Sequence, residues 1–120
     1  IIPHADFYSY EAKYIDDKGA GLDIPARLPD SLIRKVQEIA VATYKTLECL
    51  GLARVDVFLT PEDRVIVNEI NTLPGFTKIS MYPKLWEASG IPYTELVTKL
   101  IELAIEDFEK RNHLKVSVEI

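Results

Sequence analysis

The sequence predicts an α+β fold in which helices cover an antiparallel sheet. Three observations carry that expectation: apolar residues recurring every three or four positions over 30–49, two β-branched runs separated by turn residues, and a second helical pattern over 93–111. With 120 residues, 48% hydrophobic, the chain has material for one core, so one globular unit is expected.

Residues 6–15, DFYSYEAKYI, are rich in aromatics and partly alternate, which predicts a strand. The following DDKGAGLDIPARLPD, 16–30, collects Asp, Gly and Pro and predicts a long loop; loops of that length are most often mobile linkers or functional lids. From Asp30, the residues Leu32, Ile33, Val36, Ile39, Ala40, Thr43, Tyr44 and Leu47 fall on one helical face. A helix over 30–49 follows, with Asp30 or Ser31 as N-cap and Gly51 as its stop.

LARVDVFL and RVIVNEI then form an antiparallel hairpin around Thr60-Pro61-Glu62-Asp63. A Pro-started helix over 83–89 ends at Gly90. A stronger one over 93–111 carries Leu96, Leu100, Ile101, Leu103, Ala104 and Phe108. LKVSVEI at the end alternates as an edge strand or a disordered terminus would, which divides the chain into a unit at 1–111 and a tail at 112–120.

A net charge of −5 without a basic stripe argues against nucleic acid as the main partner. The single Cys49, expected as a buried thiol, cannot form an internal disulfide, which points to a reducing compartment; no apolar run approaches a membrane span. The chain opens at Ile1-Ile2-Pro3 without Met or a signal-peptide layout, so a fragment of a longer cytoplasmic protein is expected. His4 and His113 have no ligand-like spacing.

The chemistry concentrates on the hairpin. With 61–64 as the turn, Thr60 lies opposite Val65, Asp56 opposite Glu69 and Arg54 opposite Asn71. Alternation then gathers a guanidinium, two carboxylates and a carboxamide on one face, above Phe58 and Val67, and turns Asn68 to the other face. Opposed carboxylates repel unless a positive group lies between them, and the oxygen-only set Asp56, Glu69, Asn71 suits a hard cation such as Mg²⁺. Ion pairing to Arg54 and a nearby Lys on a solvated face is the alternative, and the two readings stand level on pattern alone.

Gly75 after Pro74 permits positive φ and a close approach to a ligand, or simply makes a type II turn. Ser80 and Thr77 suit a carboxylate, or cap the next helix. Lys13 suits a phosphate and Phe7 a flat ring, though a lone Lys is usually a surface charge and strand aromatics are usually core.

FYSYEAKY (7–14), GLARVDVF (51–58) and NEINTLPGFTKISMYPKLWEASGI (68–91) resemble the carboxy-terminal part of D-alanine–D-alanine ligases of the ATP-grasp superfamily, in order and over about Phe7 to Glu106. The resemblance implies the C-terminal half of an ATP-grasp fold, with ATP and two Mg²⁺ or Mn²⁺ ions as cofactors. It makes Asp56, Glu69 and Asn71 the metal ligands, with Glu69 bridging, and Arg54 and the Gly75 N–H the groups that meet the acyl phosphate and tetrahedral intermediate. Lys13 contacts the transferring phosphate, Phe7 packs on adenine, and Asn68 joins Glu69 among the nucleotide-binding residues. The Ser80 hydroxyl and Met81 amide hold the carboxylate of the second D-alanine, and Tyr14 opens a lid over 14–24 and favours D-alanine over D-lactate as nucleophile.

The implied partners are D-alanine, ATP and the rest of the same ligase chain, often in a homodimer, with the fragment alone inactive. An ATP-grasp ligase for another D-amino or D-hydroxy acid and a non-catalytic binding domain are the competing readings.

Overall fold

Residues 2–3, 20–77 and 79–113 are described by the computed structural model. The strand expected at 6–15, residues 114–120 of the tail expected at 112–120 and the candidates Phe7, Lys13 and Tyr14 lie outside the described residues, whereas Asn112 and His113 of that tail end a helix. Strand β1 (Ile2–Pro3) pairs antiparallel with β2 (Ala20–Gly21), placing Ile2 opposite Gly21. The segment expected as an uninterrupted loop at 16–30 thus contains a short strand.

Helix α1 spans Asp30–Thr46. Pro29, not Asp30 or Ser31, holds the N-cap position, and its carbonyl accepts from the Leu32 and Ile33 N–H groups at 2.9 and 3.0 Å. Asp30 is inside the first turn, where its charge complements the helix dipole. The helix also ends earlier than expected. Glu48 adopts φ 51°, its N–H reaches the Lys45 carbonyl and the Cys49 N–H reaches that of Tyr44, both at 3.1 Å. This is a Schellman closure with Glu at the left-handed position.

Gly51, also left-handed at φ 66°, bends the chain three residues later, and its carbonyl accepts from the Tyr44 hydroxyl at 3.0 Å. Cys49 is half-buried rather than buried. Since a Cβ in the left-handed region costs roughly 1–2 kcal/mol, Glu48→Gly is expected to stabilise the fold by about 1 kcal/mol, read as a higher thermal midpoint.

The hairpin consists of β3 (Arg54–Leu59) and β4 (Val65–Asn71), with α1 packed against both strands. Its loop has one residue fewer than expected. Thr60 N–H donates to the Arg64 carbonyl at 2.9 Å, Asp63 N–H to the Thr60 carbonyl at 3.0 Å, and Asp63 takes φ 56°. That is a three-residue loop, 61–63, with a left-handed last residue. Lys35 Nζ donates to the Asp63 carbonyl at 2.9 Å and ties the loop to α1.

Helices α2 (Met81–Ala88) and α3 (Tyr93–Asn112) pack on each other. Gly90 ends α2 as expected, at φ 92°, with its N–H on Glu87 and the Ile91 N–H on Trp86. Among the described residues, the buried hydrophobics are Leu32, Tyr82 and Leu96, at 7%, 6% and 3% exposure, while Phe58, Leu73, Ile101 and Phe108 stand more than half exposed. Leu96 is the most enclosed of these side chains. Leu96→Ala is expected to cost about 2–5 kcal/mol, seen as a lower denaturant midpoint at unchanged slope.

Candidate active site

Asp56 faces Glu69 and Arg54 faces Asn71, as the alternation predicts. The route to that register differs from the expected one. Near the loop Leu59 pairs with Val65, Phe58 with Ile66 and Val57 with Val67, one residue out of phase with the far half, and a bulge between Asp56 and Val57 restores the phase. The extra residue is Asn68 on β4, which has no directly opposed partner. It is therefore the bulged residue rather than a plain outward member of the strand.

Because opposed residues share a face, the apolar neighbours of the acidic pair are Phe58 and Ile66, not Phe58 and Val67. They are 60% and 47% exposed, so the hydrophobic row beside the carboxylates is open within the described residues.

Arg54 forms a fork on Asp56, Nε to Oδ1 at 2.7 Å and Nη2 to Oδ2 at 2.8 Å, while Nη2 lies 3.9 Å from Glu69 Oε1. One guanidinium thereby bridges the opposed carboxylates. The hydrogen bond to Asp56 pushes the Arg54 pKa up, so the group stays charged. Such planar, bidentate pairing is a property of Arg that Lys lacks.

Glu69 keeps an exposed side chain, and Asn71 Oδ1 accepts from the Leu73 N–H at 3.0 Å, which leaves one lone pair on that oxygen. Among the described residues no three His, Cys, Asp or Glu side chains gather at a metal-sized cluster. The candidate oxygen donors are two carboxylates and a carboxamide. All are hard oxygen ligands, and their chemistry fits a divalent cation such as Mg²⁺.

Beyond Asn71 the chain turns through Pro74-Gly75 towards α2. Pro74 is buried, and Phe76 packs on Tyr82 and Tyr93 with ring centroids 5.8 and 5.3 Å apart. The Tyr93 hydroxyl donates to the Phe76 carbonyl at 3.2 Å, and burial pushes the Tyr82 phenol pKa up, keeping it neutral. Through these rings the turn is anchored to the α2–α3 pair.

Gly75 does not use a positive φ, contrary to expectation. A Cβ there would lie 3.0 Å from Ser80 Oγ, a contact close enough that the Ser80 side chain would have to shift. Ser80 holds the N-cap position of α2 but makes no capping bond; its Oγ instead accepts from Thr77 N–H at 3.0 Å and lies 2.8 Å from Thr77 Oγ1. The signal for this was in the sequence. A cap reaches the second or third helical N–H, and the third residue here, Pro83, has none. Met81 follows directly as the first helical residue.

The hairpin, the turn after it and α2 carry two of the three segments whose sequence resembles a ligase, and comparison with known proteins agrees. The family described as D-ala D-ala ligase C-terminus matches residues 1–102. A D-alanine–D-alanine ligase of Shouchella clausii is 65% identical over 118 residues, covering 98% of this chain and 32% of that protein.

The solved D-alanine–D-alanine ligase from Coxiella burnetii is similar with a TM-score of 0.75 at 49% identity, covering 78% of this chain and 27% of its own. The Bacillus anthracis D-alanine–D-alanine ligase complexed with ATP is similar with a TM-score of 0.65 at 36% identity, over 71% of this chain and 30% of its own. The chain spans about a third of the length of the curated relatives it matches. Matched over most of its length by family, sequence and fold alike, the chain belongs to the D-alanine–D-alanine ligase family and corresponds to its carboxy-terminal part.

Proposed function

We propose that the chain is the carboxy-terminal catalytic part, residues 1–111, of an ATP-dependent ligase that joins two D-alanines for peptidoglycan precursor synthesis in the cytoplasm. The observation that carries this reading is the opposition of Asp56 and Glu69 under the Arg54 fork, on the strand that leads into the Pro74-Gly75 turn.

In this reading the carboxylate of the first D-alanine attacks the γ-phosphorus of ATP, and ADP leaves. The amine of the second D-alanine then attacks the acyl carbon, phosphate departs, and the amine loses a proton. Asp56, Glu69 and Asn71 would hold the divalent cations. When bound, these ions neutralise the charge on the phosphate oxygens.

Arg54, permanently charged, offers N–H donors to the developing oxyanion, and the Gly75 N–H on the adjoining turn offers another. The Ser80 hydroxyl and Met81 amide take the carboxylate of the second D-alanine at the start of α2. Phe7 and Lys13 serve adenine and phosphate, Asn68 on the bulge stands beside the nucleotide with Glu69, and Tyr14 belongs to the lid that keeps water from the acyl phosphate.

Assay of the full-length protein tests this. ADP release and D-alanyl-D-alanine formation are expected to require both D-alanine and Mg²⁺, with D-alanine preferred to D-lactate at neutral pH. The 120-residue chain alone is expected to be inactive. Preference for D-lactate would move the reading to a D-hydroxy acid ligase, and absence of ATP turnover in the full-length protein would overturn it.

A further inference from the structure

We propose that Thr77 is a positioning residue: by donating its hydroxyl to Ser80 Oγ when an anionic ligand is bound, it leaves the Ser80 proton free to be given to that ligand. This rests on the reading of Ser80 as a contact for the substrate carboxylate.

A serine hydroxyl has one proton to give and two lone pairs that accept. At Ser80 the Thr77 N–H fills one lone pair at 3.0 Å. The Thr77 hydroxyl, 2.8 Å away, can stand in either sense with Ser80 Oγ. When Thr77 donates, both Ser80 lone pairs are filled and its O–H is free to point outward. In the opposite sense Ser80 has its proton engaged and presents an oxygen lone pair, which repels a carboxylate.

A carboxylate at Ser80 therefore selects the arrangement in which Thr77 donates, and the Thr77 hydroxyl makes that arrangement available without leaving an unfilled acceptor.

Two other features hold the pair in place. The absence of a Cβ at Gly75 lets Ser80 Oγ approach the turn; an added methyl would stand 3.0 Å from it. Pro83 at the third helical position has no N–H to draw the hydroxyl into capping α2. The backbone amide and the hydroxyl of one residue, Thr77, thus set how the neighbouring side chain meets its ligand.

The test uses the full-length ligase and steady-state kinetics for each substrate. Thr77→Val keeps the backbone N–H and the side-chain shape but removes the hydroxyl. The KM for the attacking D-alanine is expected to rise about tenfold. The KM for ATP and kcat at saturating D-alanine should stay within about twofold, and Thr77→Ser should restore the wild-type KM.

Ser80→Ala should raise the same KM, and adding Thr77→Val to it should raise it no further, because the two hydroxyls act as one unit. If Ser80→Ala raises that KM while Thr77→Val leaves it unchanged, the proposal fails and the carboxylate contact stands. No effect of Ser80→Ala removes the carboxylate contact itself. A lower melting temperature with every kinetic constant worsened, unrelieved by Thr77→Ser, would mark Thr77 as structural only and overturn the proposal.

Discussion

If the proposed ligase activity holds, replacing Glu69 by Gln in the full-length protein is expected to lower kcat by about a thousandfold. The substitution keeps the size of the side chain and its place opposite Asp56 but removes one of the two formal negative charges among the proposed metal donors. A neutral amide oxygen is a much weaker partner for a doubly charged ion than a carboxylate. The Mg²⁺ concentration giving half-maximal rate should rise, and excess Mg²⁺ should recover part of the activity.

Fold stability should hardly change, because the Glu69 side chain is exposed and its contact with Arg54 is long, at 3.9 Å. An unaltered rate and Mg²⁺ dependence would leave the pair as a surface ion cluster and remove the metal assignment.

Arg54→Lys is the second large effect. It preserves the charge and removes the fork that now engages both oxygens of Asp56 at 2.7 and 2.8 Å. A lysine ammonium is a point charge that cannot match both oxygens in a plane. Loss of an oriented donor at a developing oxyanion costs about 10²–10³ in rate, so kcat is expected to fall by about that factor.

The pKa of Arg54 is raised by its hydrogen bond to Asp56, and the sign of that shift keeps the guanidinium charged wherever the protein is folded. Wild-type activity should therefore show no titration from this residue. A single-turnover measurement separates the two steps: if acyl phosphate forms at the normal rate and only its capture slows, Arg54 acts on the second displacement. Wild-type kinetics in Arg54→Lys would show that charge alone suffices.

Much of this site was legible because strand alternation is rigid. Asp56 opposite Glu69 and Arg54 opposite Asn71 follow from counting along two strands. The count reached the right pairs through two compensating departures: a loop of three residues instead of four, and one extra residue at Asn68. Neither is visible in hydrophobic patterning, since both Asp63 and Asn68 depend on local backbone choices that several residue types tolerate.

Gly51 is the better left-handed residue by type and predicts a later end for α1, whereas the chain closes the helix at Glu48. By residue type Ser80 suits a cap as well as a carboxylate, and Pro83 weakens the first of these roles. Exposure was the least legible quantity. Phe58 and Ile66 have the composition of a covered row, and nothing in local periodicity says whether the cover lies in the same segment.

The bulge at Asn68 also separates the hairpin into two mechanical sections. On the loop side the strands keep one phase, and on the carboxylate side they keep another. A hairpin without such a slip transmits any change in loop length along its whole ladder, turning every side chain to the opposite face. Here the slip means that the pairing of Asp56 with Glu69 does not follow from the pairing next to the loop. The register that brings Asp56 opposite Glu69 is thus set on the far side of Asn68 from the 61–63 loop.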